Sequence, residues 1–288
     1  MIDGPLEWSN LYANPSLAKL GPNWTTGLYE PIIHDAVATI GNAQTRWVEE
    51  RNAGRGIELM SYANRRIQTQ IDFDSSNPDT DFDFLVTTAR TPYINDREKT
   101  NLGRALSACG AALERDGHRT LVRIFDKKLR ESIRSAAPSC SFETKGSFAE
   151  ALSRTRCVIG TPSSVLLESM QHDRPTGLLV FRDSPLFYRT GWLLGCSDDW
   201  ETSFTSMLGR DPTRMELQRE SLRENLSNED FFGHWRKIAD DERLKTPRPF
   251  DALDLEFERQ VRRVTLGWRA RWRAPIVREL SGGSPWRR

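Results

Sequence analysis

Apolar and polar segments alternate regularly between residues 81 and 181, in a pattern that predicts strands separated by helices. Asp81–Thr88 carries its apolar side chains toward its end, as expected of a buried strand. Residues 95–116 place apolar side chains from Leu102 to Leu113 at spacings of four, three and four, the period of an amphipathic helix. Further strands are predicted at 119–125, 141–143, 156–160 and 176–181, and further helices at 127–136, 147–154 and up to Met170. This order predicts the α/β fold class, with a parallel, doubly wound sheet.

The pattern changes on both sides of this region. An irregular arm comes first, and one β-α-β unit is then predicted from Ala36–Ile40, Ala43–Asn52 and Ile57–Tyr62. The polar stretch Asp72–Asp81 separates that unit from the regular pattern, so a domain boundary is expected there. After residue 197 only helices are expected, at Trp200–Leu208, Pro212–Leu226, Glu229–Asp240 and about 251–273. The predicted organisation is the arm with its β-α-β unit at 1–78, a Rossmann-like domain at 79–210 and a helical region at 211–288.

Composition narrows the class of protein. A formal net charge of +1 gives no overall attraction to nucleic acid or anionic lipid. The four cysteines have no metal-ligand spacing, which favours reduced thiols in a cytosolic protein. The first residues lack the basic and apolar regions of a signal peptide, and no apolar run approaches the roughly 20 residues of a membrane-spanning helix. We therefore expect a soluble, cytoplasmic protein with no metal site and no tightly bound cofactor.

Ligands of parallel, doubly wound sheets bind at the carboxyl ends of the strands. That rule selects the loops Thr87–Asn95, Asp126–Lys128 and Gly160–Ser164 as candidate binding elements. The four histidines are scattered, and no Ser/His/Asp set, GxGxxG or GxxxxGK[ST] motif occurs, which disfavours hydrolases and Rossmann dehydrogenases. No catalytic base is identified from the sequence.

The loop between a buried strand and a helix at Gly160–Ser164 carries three hydroxyls, from Thr161, Ser163 and Ser164. At a helix N-terminus, hydroxyls and unpaired amides favour an anion such as a diphosphate. Plain helix capping is the alternative, and one hydroxyl suffices for it. Glu168 lies one helical turn beyond Ser164 and is either a ribose-binding carboxylate or a solvated glutamate.

Two other strand ends carry side chains that suit phosphate. Thr88, Arg90 and Thr91 follow the first strand, and a guanidinium binds phosphate in a bidentate manner. Arg123 lies within the next strand and can face either side of the sheet, and Lys127 begins the following helix. Each of these residues also has an ordinary reading as a surface or capping side chain.

A fourth candidate follows the strand predicted at 176–181. Asp183 can meet a ribose or sugar hydroxyl, and aromatic residues come directly after it. These aromatics either wall a bound base or sugar or belong to the core; they are Phe187, Tyr188 and Trp192.

The stretch TPSSVLLESM, followed by Arg174-Pro175 and an apolar strand, resembles the donor-domain signature of GT-B glycosyltransferases. It is most similar to bacterial surface-polysaccharide enzymes, such as CDP-glycerol glycerophosphotransferases and CMP-Kdo or CMP-sialic acid transferases. In these families a Ser-Ser pair at this turn contacts the donor phosphate, which implies that role for Ser163 and Ser164. Their Arg-x-His-Pro-like sequence has a counterpart in Arg123-Ile124-Phe125-Asp126, where the His-Pro is absent.

The unit Ala36–Arg65 is similar to the last β-α-β unit of the N-terminal domain of these enzymes, so the resemblance covers about residues 35–210. It implies a complete donor-binding half at 79–210, a remnant of the acceptor half, and a donor linked to CMP, CDP or UDP. It also implies a glycan or lipid-linked glycan acceptor. A partner chain or dimer that supplies the missing half, a fragment, and a reduced nucleotide-binding protein are the open explanations for the short N-terminal part.

The end of the sequence is strongly basic. From Arg259 to Arg288 there are nine arginines and one acid, Glu279, with tryptophans interleaved. Residues 256–288 are therefore expected to pack across the domain, to lie on the inner face of an anionic membrane, or to bind nucleic acid or protein.

The sequence thus favours a nucleotide-sugar-dependent glycosyltransferase or glycerophosphotransferase of surface-polysaccharide synthesis. A non-catalytic nucleotide-binding or scaffold subunit of the same pathway is the first alternative. A sugar-nucleotide epimerase of related fold is the second.

Overall fold

The computed structural model describes residue 32 and residues 36–62, 80–90, 92–93, 95–182, 188–195, 199–225 and 231–240. The strands are β1 (Ala36–Ile40), β2 (Glu58–Tyr62), β3 (Phe82–Thr87), β4 (Thr120–Arg123), β5 (Ser141–Phe142), β6 (Thr155–Gly160), β7 (Thr176–Leu179) and β8 (Trp192–Leu194). The helices are α1 (Asn42–Arg51), α2 (Asp96–Arg115), α3 (Lys127–Ala136), α4 (Phe148–Ser153), α5 (Ser164–Gln171), α6 (Trp200–Leu208), α7 (Pro212–Asn225) and α8 (Phe231–Asp240).

Six strands form one parallel sheet in the order β5-β4-β3-β6-β7-β8. The chain runs outward from β3 through β4 to β5, crosses back to pair β6 with the other side of β3, and then continues to β8. Helices separate the successive strands up to β7, as the alternating pattern predicts. The predicted α/β class with a parallel, doubly wound sheet is therefore confirmed.

Both faces of this sheet are covered, which explains why its central strands contain consecutive apolar residues. Phe84 and Val86 of β3 pack on one face with α2 and α3, through residues such as Leu106. Between them, Leu85 faces the other side and packs against Leu152 of α4. Phe84, Leu85, Val86, Leu106 and Leu152 are all fully buried.

A smaller parallel pair, β1 and β2, is joined by α1 and confirms the predicted β-α-β unit. Ile40 and Met60 of this pair share an apolar cluster with Leu166 and Met170 of α5 and with Leu222 of α7. The unit therefore packs on the same face of the molecule as α5. That it is a remnant of an acceptor domain stays a prediction.

The last strand, β8, was not predicted from the sequence, which indicated only a loop with aromatic residues at this position. Trp192 is 1% exposed, and its indole Nε1 donates to Ser206 Oγ at 3.1 Å. Leu194 packs beside it in the main core, whereas Leu193 between them is exposed. The interpretation of Trp192 as a wall for a base or sugar is therefore wrong, because its ring belongs to the core.

The three described cysteines, Cys109, Cys140 and Cys157, are buried free thiols, as expected. Burial raises the pKa of the Cys157 thiol to about 12 and that of Cys140 to about 11, so both stay protonated near neutral pH. Among the described helices, none combines the length and apolarity needed to cross a membrane. The basic segment 256–288 lies outside the described residues.

Candidate functional site

A cavity of about 650 Å³ opens at the carboxyl ends of β3, β4 and β6. Here β3 and β6 lie side by side, with Thr87 opposite Gly160. The helices that follow them, α2 and α5, pack on opposite faces of the sheet. The strand order reverses at this point, and open α/β sheets bind ligands where it does so. The volume also lies within the range of small-molecule and cofactor pockets.

Most of the residues selected from the sequence meet in this cavity. Its lining includes Thr88, Arg90, Arg123, Ser163, Ser164 and Glu168. Thr161 and Lys127 do not line it, and Thr91 and Asp183 lie outside the described residues. Chain segments far apart in the sequence are thus brought to one place by the pairing of β3 with β6.

The N-terminus of α5 faces the cavity without a side-chain cap. Ser163 is the N-cap residue, but its Oγ donates to the Thr161 carbonyl at 3.1 Å and accepts no amide of the helix. The Ser163 carbonyl accepts from the Leu166 amide at 3.1 Å. Within the described ranges, the amides of Ser164 and Val165 have no acceptor. The alternative of plain hydroxyl capping is therefore not what the structure shows, and unpaired donors remain at the positive end of the helix dipole.

The loop after β3 forms the facing side of the cavity. Thr88 is 4% exposed, and its Oγ1 has no hydrogen-bond partner among the residues that the structure describes. The neighbouring Ala89 amide donates to Thr161 Oγ1 at 3.0 Å. The Thr161 hydroxyl is fully buried and holds the two loops together, which explains why it does not reach the cavity.

Gly160 allows these two loops to approach each other closely. A Cβ atom at Gly160 would lie 2.9 Å from Leu166 Cδ2 and 3.4 Å from Thr87 Cγ2. The first distance is too short for van der Waals contact, so a larger residue would displace the Leu166 side chain, and the second leaves no spare room beside Thr87. The glycine that begins the TPSS turn is thus part of the construction of the site.

Two guanidinium groups lie over the exposed Phe125 ring, with the Cζ atoms of Arg90 and Arg123 at 5.7 Å and 5.3 Å from the ring centroid. Arg123 is 7% exposed and donates to the carbonyls of Lys145 (2.8 Å) and Gly146 (2.7 Å). It therefore fixes the loop between β5 and α4. Arg90 is exposed and forms no ion pair with any described residue, which leaves its charge available to a ligand.

Several residues of the cavity were not predicted from the sequence. They are Phe125, the segment from Gly146 to Ala149, and His172. The rule that ligands bind at strand ends, applied to the short strand β5, would have selected the Gly146–Ala149 segment. His172 was not selected from the sequence, yet it is 8% exposed and lies eight positions beyond Ser164, at the end of α5.

Asp126 caps α3, because its Oδ1 accepts from the amides of Lys128 (2.8 Å) and Leu129 (3.0 Å). Its Oδ2 accepts from the Tyr93 hydroxyl at 2.7 Å and lies 3.7 Å from Lys99 Nζ. Burial raises the pKa of this carboxyl, but these hydrogen bonds and the Lys99 charge outweigh it, so the pKa is lower than usual. Lys127 is exposed beside this cap and outside the cavity.

We expect Asp126→Asn to lower the free energy of unfolding by about 1 kcal/mol at pH 7, because the amide keeps the cap but loses the charge-assisted bonds. The lowered pKa means that the carboxylate stabilises the fold fully above its ordinary pKa of about 4, and that this contribution is lost at lower pH. The difference between variant and parent should therefore shrink below about pH 4 in urea denaturation. An undiminished difference at pH 3 would contradict this, and Glu224→Gln on the exposed side of α7 is the control.

No protein family matches the sequence, and no curated protein matches it either. Several solved structures are similar to the chain. The chain is similar to the UDP-GlcNAc 2-epimerase of Methanocaldococcus jannaschii, solved with UDP-GlcNAc and UDP, at 12% identity and a TM-score of 0.42, with 62% of this chain and 58% of that chain covered. It is similar to a variant of the wall teichoic acid polymerase TagF soaked with CDPG, at 13% identity and a TM-score of 0.45, with 78% and 62% covered.

A third similar structure is the UDP-forming alpha,alpha-trehalose-phosphate synthase of Burkholderia vietnamiensis, at 13% identity and a TM-score of 0.41, with 74% of this chain and 58% of that chain covered. The chain thus spans less than two thirds of the length of each of these proteins. Because all three TM-scores are below 0.5, we assign a function from the geometry of the cavity and from the residues of this chain.

Proposed function

We propose that the cavity binds the phosphate groups of a nucleotide-activated donor, and that the chain is the donor-binding part of a glycosyltransferase or glycerophosphotransferase of GT-B type. The observation that carries this proposal is the uncapped N-terminus of α5, where Ser163 and Ser164 line the cavity. By contrast, side chains cap α2, α3, α4 and α6, and α1, which begins after Gly41, has no side-chain cap but does not border the cavity. A bound phosphate would supply the acceptor oxygens that this helix lacks.

The charge around the cavity supports an anionic ligand. The Arg90 guanidinium and the positive end of the α5 dipole both border it. The buried Thr88 hydroxyl lines the same cavity and can donate to a phosphate oxygen. A diphosphate would therefore meet a cation, a helix N-terminus and a hydroxyl donor in one cavity.

Glu168 extends the site along α5, one turn beyond Ser164. A carboxylate accepts hydrogen bonds and repels phosphate, so we expect Glu168 to contact a neutral part of the ligand that carries hydroxyl groups. The ribose of a nucleotide fits this requirement. We therefore propose that the donor is a transferable group activated by linkage to CMP, CDP or UDP, in keeping with the resemblance of the TPSS turn.

The transfer itself breaks the bond between the donor phosphate oxygen and the transferred group. That group forms a new bond to the hydroxyl oxygen of an acceptor, and the hydroxyl proton is released. Negative charge then develops on the departing phosphate, where Arg90 and the α5 N-terminus stabilise it. We propose a glycan or a lipid-linked glycan as the acceptor. We further propose that the acceptor site, with the group that takes the proton, is supplied by a partner chain, a second copy or a further part of the protein.

Nucleotide binding is the experiment that tests this proposal. We expect CMP, CDP or UDP to raise the melting temperature of the chain at millimolar concentration, because a ligand that binds only the folded state stabilises it. GDP serves as a comparison for the choice of base. If none of these nucleotides changes the melting temperature or gives heat in calorimetry, the proposal is wrong. Binding without turnover of a CDP- or UDP-linked donor, even with added lipid-linked acceptor, would favour a non-catalytic nucleotide-binding subunit.

A further inference from the structure

The loop after β3 is held at two points, one on either side of Arg90. On one side, the Ala89 amide donates to Thr161 Oγ1 at 3.0 Å. On the other side, the Tyr93 hydroxyl donates to Asp126 Oδ2 at 2.7 Å. The backbone that carries the Arg90 cation is thus attached to the loop after β6 and also to the loop after β4.

The second attachment ends on a carboxylate that is itself held in place. Asp126 Oδ1 accepts from the amides of Lys128 and Leu129 at the start of α3, so the carboxylate cannot rotate without losing the helix cap. Lys99 of α2 completes the arrangement, because its Nζ lies 3.7 Å from Asp126 Oδ2 and 4.8 Å from the centroid of the Tyr93 ring. Hydrogen bonds to a charged group are stronger than those between neutral groups. The Tyr93 hydroxyl is therefore bonded to a firm anchor.

The network lies beside the cavity and not inside it. Phe125, directly before Asp126, lines the cavity, and its ring centroid is 5.7 Å from Arg90 Cζ. Neither Tyr93 nor Asp126 belongs to the lining. Any effect of the Tyr93 hydroxyl on a ligand in the cavity must therefore pass through the position of the loop and of Arg90.

We propose that Tyr93 is a positioning residue, which holds the loop after β3 so that the Arg90 guanidinium meets the phosphate of the donor. The inference rests on the proposed function, because it assumes that Arg90 binds phosphate. Ordering a loop and a long side chain on binding costs free energy. Attaching the backbone on both sides of Arg90 removes part of this cost before the ligand arrives, so the cation contributes more to affinity.

A double-mutant cycle between Tyr93 and Arg90 tests the inference, with the affinity for CDP and for UDP measured by calorimetry. We expect Arg90→Ala to weaken binding about tenfold, since a hydrogen bond to a charged group is lost. Tyr93→Phe removes only the hydroxyl and should weaken binding about fourfold. The double variant should lose about tenfold, not the roughly 40-fold expected of independent residues, because a displaced Arg90 has little left to contribute.

Two further measurements separate positioning from a general loosening of the fold. The combined change of Ser163→Ala and Ser164→Ala should weaken binding by the same factor in the parent and in Tyr93→Phe, because those hydroxyls lie at the start of α5. The matched control is Tyr188→Phe, which also removes one phenolic hydrogen bond, here to the Ser163 carbonyl at 3.0 Å. It should leave the loss caused by Arg90→Ala at about tenfold.

Equal losses from Arg90→Ala in the parent and in Tyr93→Phe would overturn the inference, as would the absence of any loss in the parent. It is also overturned if Tyr93→Phe reduces the effects of the arginine and serine changes alike, since the hydroxyl would then support the whole site. In these cases CDP or UDP still binds and the proposed function stands. If neither nucleotide binds the parent chain, the proposed function fails together with the inference. Far-ultraviolet circular dichroism checks that each variant folds.

Discussion

Replacing Ser163 and Ser164 together by alanine is expected to weaken the binding of a nucleoside diphosphate by on the order of 100-fold, without loss of folding. Each hydroxyl that bonds to a charged phosphate contributes about 1.5–3 kcal/mol, and each 1.4 kcal/mol is a factor of ten in affinity. The backbone amides of α5 and Arg90 remain, so some binding should persist. Calorimetric titration of the variant and its parent measures the change.

Stability should change little in this double variant, because neither hydroxyl caps the helix. A matched control is Ser132→Ala with Ser135→Ala on α3. There each hydroxyl donates to a carbonyl four residues earlier, outside the cavity. An equal loss of nucleotide affinity in the control, or no loss in the Ser163 and Ser164 variant, would show that the α5 hydroxyls do not bind phosphate.

The largest effect on stability is expected from Phe84→Ala in the central strand β3. Phe84 is fully buried, and its ring centroid lies 5.1 Å from that of His118 and 4.9 Å from that of Phe204. Removing the ring leaves a cavity among α2, α6 and the sheet, at a cost of about 3–5 kcal/mol. Urea denaturation should show this loss, and nucleotide binding should weaken with it because β3 ends at the site.

Leu217→Ala on α7 serves as the comparison, since that side chain is 40% exposed. It should change the free energy of unfolding by no more than about 0.5 kcal/mol. A similar loss in both variants would mean that Phe84 is not part of a close-packed core.

The pattern of apolar residues was sufficient to predict the order of strands and helices up to β7. It worked because the predicted strands other than the short 141–143 had an apolar run, and α2 carried a long amphipathic period. It failed at β8, where Trp192 and Leu194 are buried on either side of an exposed Leu193. Three residues give too short an alternation to identify a strand, and the aromatics around them suggested a ligand wall instead.

The candidate site was predicted in part for a related reason. The rule of strand ends selects loops from the sequence, and it found Arg90 and the Ser163-Ser164 pair. The sequence does not decide which face of the sheet the Arg123 side chain points to. The fold shows that it donates hydrogen bonds to the carbonyls of Lys145 and Gly146. His172 was missed because its position in the cavity depends on which face of α5 points inward. Phe125 was missed because the sequence signal at this strand end is Asp126, which begins the next helix.

The pairing of β3 with β6 also determines when the site can form during synthesis. Within this sheet the chain makes β3, β4 and β5 first, and β6, which completes the middle of the sheet, follows more than seventy residues after the start of β3. Until β6 has left the ribosome, the nascent chain presents one side of β3 as an unpaired edge. The hydrogen bond from the Ala89 amide to Thr161 Oγ1, which joins the loops after β3 and β6, cannot form before then. The binding cavity is therefore a late product of folding, and a bound nucleotide would mark chains whose sheet has closed.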